Sequence, residues 1–300
     1  MSYHRPVMLN ECLEGLNIDG KGTYVDLTFG GGGHSQAILE RLDGGRLLGF
    51  DQDSDAAVNA ESFPERSFTF IAANFRHLKK YLRLHGITTV NGILVDLGVS
   101  SHQIDAAERG FSTRFDAELD MRMNQGAGLS AKNVLNEYDE GALHRMFGIY
   151  GEVKNARTLA SAIVSSRVNR SLDRVGQFIE LLKPIAPRGR EFKYYAQVFQ
   201  AIRIEVNEEM KALEEMLMQT AEVLDEGGRL VIMSYHSLED RMVKNFMNKG
   251  KLHGEVERDL YGNMIRDMRQ ITRKPIMASE AEIEANNRAR SAKLRIAERI

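Results

Sequence analysis

The 300-residue sequence predicts an α/β fold: a mainly parallel sheet with helices on both faces, interrupted by an inserted all-helical domain. Three observations carry this. From Thr23 onward, short apolar runs alternate with longer amphipathic stretches, the rhythm of strand–helix–strand units. The rhythm stops at Gly98 and resumes near Asn207, with helical text between. Both α/β stretches are needed to complete one sheet, so the domains are expected at 1–108 with 205–300, and at 109–204.

The elements follow in order. TYVDL (23–27) is a buried strand, followed by four glycines and HSQAILERL at helical period. RLLGF (46–50) is a second strand and AAVNAES a helix. FTFIAA (68–73) is a third strand, before RHLKKYLRLHG, where Gly86 suits a helix end. NGILVDL (91–97) is the fourth. Residues 98–129 lack periodicity, and a loop of that length is usually functional or disordered. SAKNVLNEY, EGALHRMFGIYG, ARTLASAIVSSRV and DRVGQFIELLKPI read as helices of the insertion. A long amphipathic helix (about 207–224), a strand GRLVIMS (228–234) and a final strand AKLRIAE (292–298) restore the alternation.

Composition bounds the function. With 43% hydrophobic and 27% charged residues the chain is an ordinary globular one, at a length suggesting two domains. One cysteine, Cys12, forms no internal disulfide and no cysteine-based metal cluster, which fits a reducing cytosol. His4, His77, His85, His144 and His253 show no metal-ligand spacing, so no metal is expected. There is no signal-peptide h-region and no run of about 20 apolar residues, so a cytoplasmic protein without a membrane partner is expected. A net charge of −2 means that nucleic-acid binding must use local basic patches. Candidates are Lys183, Arg188, Arg190 and Lys193 in the insertion, the run Arg288, Arg290, Lys293 and Arg295, and a third group at Arg269, Arg273 and Lys274. Any one of these could be a solvated face.

The turn from Asp26 to Ser35 carries Gly30, Gly31, Gly32 and Gly33, which lets backbone approach a ligand closely. Asp51 closes the second strand, where a ribose-binding carboxylate sits in nucleotide sites. A tight turn beside a solvated acid would look the same. Gly30-x-Gly32-x-x-Ser35 nearly matches the dinucleotide fingerprint, which keeps NAD as a rival. A carboxylate at Asp26 would repel a pyrophosphate and could pair with the ammonium of S-adenosylmethionine (SAM), which favours a methyltransferase.

The fourth strand delivers Asp96, Gly98, Ser100, Ser101, His102 and Gln103 to the ligand edge. A nucleophile-elbow hydrolase fails because His102 stands where Gly is required. Cys12 stands alone before the first strand with no visible link to this edge. A ring-carbon acceptor, attacked through a cysteine adduct, is therefore less plausible than a nitrogen or oxygen attacked directly. Asp96 is the candidate acceptor for an amine's hydrogens. The fifth strand ends in SYHSLEDR, whose Ser237 reads as an N-cap with Asp240 three residues on, while Tyr235 and His236 also face the ligand edge.

The motifs HRPVML, VDLTFGGGGHS, ILVDLGVSSHQID, ERGFS, LDMRM, FQAIRIEVNEE, SYHSLEDR and RARSAKLRIAER resemble the bacterial small-subunit (16S) ribosomal RNA cytosine-N4 methyltransferases, the MraW-like family, over nearly the whole chain. The resemblance implies a Rossmann-like SAM-dependent core with a helical, substrate-recognising insertion. It also implies methylation of a cytosine N4 in the decoding region of ribosomal RNA, within the small ribosomal subunit. By motif, the SAM contacts would be Gly32, Gly33, His34, Asp51, Phe75, Asp96 and Gln103, with Asp96 also the catalytic candidate. Two departures stand out: the family often has HPATRTFQ where this chain has 193–200, and SFHSLEDR where it has Tyr235. The rival classes are an NAD-linked oxidoreductase and a non-catalytic RNA-binding protein.

Overall fold

Four parallel strands are laid down before residue 98. The computed structural model describes residues 6–252, 256, 258–262 and 264–300; His4 and His253, weighed above, lie outside these. Helix α1 (Leu9–Leu16) leads into β1 (Thr23–Asp26). Then come α2 (Gly33–Leu39), β2 (Arg46–Asp51), α3 (Ser54–Ala60), β3 (Phe68–Ala72), α4 (Leu78–Leu84) and β4 (Val90–Asp96). Gly86, just past α4, takes the left-handed conformation at φ 71° that ends a helix cheaply only at glycine. Helix α1 carries little signal in the sequence. Its apolar residues Leu9, Cys12, Leu13 and Leu16 keep helical spacing, over eight residues only.

The next six helices are α5 (Ser101–Asp105), α6 (Ala131–Glu137), α7 (Glu140–Tyr150), α8 (Ala156–Arg167), α9 (Val175–Leu182) and α10 (Glu191–Val206). They enclose a core of their own that includes Leu135, Phe147, Ile163, Phe178 and Ile202. Helix α10 was missed: 16 residues run unbroken through Ile204, where the insertion was expected to end. The unpatterned stretch before α6 is held by polar contacts instead of periodicity. Buried Arg109 donates to the carbonyls of Arg122 and Met123, at 2.9 and 3.1 Å. Arg122 forks onto Asp120, and Asn207 accepts the Met123 N–H at 2.7 Å while donating to the Met121 carbonyl at 2.8 Å. ERGFS and LDMRM thus carry residues that order this loop.

After α11 (Glu209–Val223) come β5 (Leu224–Ser234), α12 (Ser237–Lys249), β6 (Met268–Gln270), β7 (Ile276–Met277), α13 (Glu280–Ala285) and β8 (Lys293–Arg299). The sheet runs β3-β2-β1-β4-β5-β8-β6, with β7 on β8. Strands β1 to β5 are parallel, whereas β8 is antiparallel to β5, β6 and β7. β5 starts before the expected residue 228: Val90 pairs with Leu224 and Gly92 with Arg229, an irregularity over the turn-like DEGG. By its contacts the chain divides into a sheet unit, residues up to Gly98 with Met210–Ile300, and a helical unit, Val99–Glu209.

Candidate active site

Three acids end parallel strands on one edge of the sheet: Asp26 on β1, Asp51 on β2 and Asp96 on β4. The register brings these ends together, since Asp26 lies level with Gly49 of β2 and Leu94 of β4. Carboxyl ends of parallel strands are where open α/β sheets take their ligands.

Asp26 serves the turn itself. Its Oδ2 accepts the Ser35 hydroxyl at 2.7 Å, its Oδ1 accepts the Thr28 N–H at 3.1 Å, and it is 1% exposed. It therefore shapes the glycine turn, each of its oxygens accepting one hydrogen bond from it. The turn needs its glycines unequally. Gly30 and Gly32 sit at φ 50° and 77°, and a Cβ on Gly32 would lie 2.7 Å from the Phe63 ring. On Gly33 it would lie 2.5 Å from Pro6, whereas on Gly31 it would meet nothing within 4 Å. Gly31 is the open position of the cradle.

Asp51 is tied to that cradle. Its Oδ2 accepts the Gly30 N–H at 2.8 Å and its Oδ1 the Asp53 N–H at 2.9 Å. Each oxygen keeps a lone pair for a further donor. Burial, only partly offset by these two bonds, pushes its carboxyl up to about 6.

Asp96 is held from three sides. Its N–H donates to Thr28 Oγ1 at 2.7 Å, its Oδ1 accepts the Tyr235 hydroxyl at 2.7 Å, and its Oδ2 lies 3.9 Å from His34 Nδ1. His34 is buried, with Nε2 3.1 Å from the Val7 carbonyl; a carbonyl only accepts, so that nitrogen carries a proton. Burial raises the Asp96 carboxyl to about 6, against the pull of His34 and of the Tyr235 hydrogen bond. Burial likewise raises Asp26.

Among the described residues, no Lys or Arg compensates Asp26, Asp51 or Asp96. Such an edge holds a net negative potential, which His34 only partly offsets. It suits a cationic sulfonium and opposes a pyrophosphate. The residues present therefore fit SAM better than NAD.

The other expected contacts are placed as follows. Phe75 stands in a 3-10 turn just past β3, capped by Asn74, whose amide donates to Gln52 at 2.8 Å. Gln103 belongs to the helical unit, buried in α5, where its side-chain oxygen accepts the Ser100 N–H at 3.0 Å in a capping box. The sequence places Tyr235 at the ligand edge but does not show its bond to Asp96, nor those of Thr28 and Ser35 to the acids.

Three expectations are corrected. The N-cap of α12 is His236, not Ser237, because buried Glu239 reaches back to the N–H groups of Tyr235 and His236 at 2.9 and 3.2 Å. Cys12 is not remote: α1 sets its sulfur 3.8 Å from that of Met233 on β5. Burial and then the charge of Asp96 push its thiol well above the usual range, which withholds the thiolate a nucleophile needs. The C-terminal basic run is not one surface. Arg295 is buried on Asp240 at 2.7 Å, and Lys293 joins it at 3.2 Å. In the helical unit Arg188, Arg190 and Lys193 are exposed beside Phe192, which is 86% exposed. Among the described residues no helix is long and apolar enough to cross a membrane.

Comparison with known proteins places the chain in a family. The model of the MraW methylase family matches residues 1–300. A relative from Cytophaga hutchinsonii is 58% identical over 297 residues, covering 99% of each chain. One from Bacteroides thetaiotaomicron is 56% identical over 300 residues, covering 100% of this chain and 98% of its own. One from Flavobacterium johnsoniae is 54% identical over 301 residues, covering 100% and 99%. Each is named ribosomal RNA small subunit methyltransferase H. With three acids ending parallel strands on one edge and a family match over its whole length, this chain belongs to the MraW methylase family and is a SAM-dependent methyltransferase.

Proposed function

We propose that this protein methylates the exocyclic N4 of a cytosine in the decoding region of small-subunit ribosomal RNA. The small-subunit ribosomal RNA substrate is supported by relatives bearing that name across the full chain. The choice of an exocyclic nitrogen rests on one observation: a desolvated carboxylate, Asp96, stands at the cofactor edge, while the sole cysteine is buried and held as a thiol.

Bound SAM would supply an electrophilic methyl group. Asp51 would accept its ribose hydroxyls, Gly32 and Gly33 would admit it against backbone, and His34 and Phe75 would complete its surroundings in the sheet unit; Gln103 is a further contact by motif only. The lone pair of a cytosine amine is delocalised into the ring and makes a poor nucleophile. A carboxylate accepting one of its hydrogens localises that pair as the nitrogen becomes cationic, and Asp96 would do this. In this reading the helical unit recognises RNA, with phosphate contacts at Arg188, Arg190 and Lys193.

The test is mass spectrometry of nucleosides after reaction with SAM and small-subunit RNA, free or in the assembled subunit. N4-methylcytidine is the expected product, and Cys12→Ala should retain turnover. Methyl on C5, or loss of turnover in a folded Cys12→Ala protein, overturns the proposal.

A further inference from the structure

The two oxygens of Asp96 keep different company. Oδ1 is engaged by the Tyr235 hydroxyl at 2.7 Å, whereas among the described residues the polar neighbour of Oδ2 is His34 Nδ1, at 3.9 Å. Tyr235 follows the end of β5 and its backbone N–H is fixed by Glu239, so the phenol comes from a rigid base. Asp96 lies level with Met233 on the neighbouring strand, and its own N–H is tied to Thr28. Both partners are therefore preset by the sheet.

We propose that Tyr235 is a positioning residue: its hydroxyl pins Oδ1 of Asp96 and favours the ionised carboxyl, leaving Oδ2 as the oxygen that receives the acceptor amine. This rests on the reading of Asp96 as the group that meets the amine. A phenol donating to a carboxylate stabilises the charged form, and a phenylalanine at 235 would not. The need is set by the surroundings. Asp96 is faced by Asp26 from β1, Glu239 from α12 and Cys12 from α1, while among the described residues His34 of α2 and Tyr235 favour its charge. Burial pushes Tyr235 itself well above the ordinary phenol range, and Asp96 adds to this, so it remains a donor throughout the working pH.

The experiment compares the chain with Tyr235→Phe, which keeps the ring. Carboxyl carbon NMR of the unliganded proteins, with Asp96→Asn to assign the resonance, should show the Asp96 midpoint rising by about one pH unit, the size of one hydrogen bond to a charged group. The acid limb of kcat for methyl transfer should move up by the same interval. Turnover should recover at high pH, where Asp96 is ionised in both proteins and SAM affinity should be equal. An unmoved carboxyl midpoint overturns the proposal, as does a loss of kcat that is equal at every pH. If the parent chain transfers no methyl to any RNA, the functional reading fails, and the carboxyl titration still decides the role of Tyr235. Tyr235→His, whose ring nitrogen can donate in place of the phenol, should restore part of the acid-side activity.

Discussion

Asp96→Asn is expected to stabilise the unliganded protein above pH 6 while removing methyl transfer. The carboxyl titrates near 6 in the folded chain against 3.8 for the free side chain, a rise of about two units. A raised acid contributes stability below its unfolded value, and that contribution is lost as pH climbs through the folded value. At about 1.36 kcal/mol per unit, the ionised Asp96 carries a burden of roughly 3 kcal/mol by pH 7, with the partial exposure of its side chain pulling this down. Asparagine keeps an oxygen for the Tyr235 hydroxyl and drops the charge. Urea unfolding of both proteins at pH 4 and pH 8 measures the effect. The asparagine variant should gain roughly 2–3 kcal/mol over the parent between the two, because Asp51 titrates alike in both and cancels. A stability difference that is the same at both pH values would refute the argument from desolvation.

Two more outcomes follow from the same edge and from the helical unit. Asp51→Ala should leave the fold intact and weaken SAM binding by about ten- to a hundredfold, the loss of hydrogen bonds to a charged group, read by isothermal titration; unchanged affinity removes Asp51 from the site. Arg188→Glu with Arg190→Glu should weaken RNA binding and lower the salt slope by about two, leaving SAM affinity alone; an unchanged slope makes those arginines a solvated face.

Legibility from sequence differed by cause. β1 to β4 were readable because a buried parallel strand is a short apolar run between glycine or polar stops. Helix α10 was not, because EFKYYAQVFQAIRIEV buries Tyr194, Val198, Ile202 and their neighbours on a broad face, so its period is blurred. The acids were found through position, at strand ends, and Asp51 indeed accepts a hydrogen bond from the turn 21 residues earlier. Their individual duties were hidden. Which oxygen meets Ser35, Gly30 or Tyr235 depends on contacts spanning up to 139 residues, which spacing cannot encode. The basic run near the C-terminus misled for the opposite reason: charge count alone did not reveal that Asp240 claims Arg295 and Lys293.

The strand order also bears on how the chain is made. β5 lies between β4 and β8, and β8 is drawn from residues 293–299. As synthesis proceeds, β4 waits with one edge open while more than a hundred residues of helical text emerge, and β5 then waits in turn for β8. The helical unit is contiguous and carries its own core, so it holds everything it needs to fold while still tethered. The sheet unit does not. Until residues 224–234 and then 293–299 are made, β4 and then β5 present an unpaired strand edge, the kind that pairs wrongly with other chains.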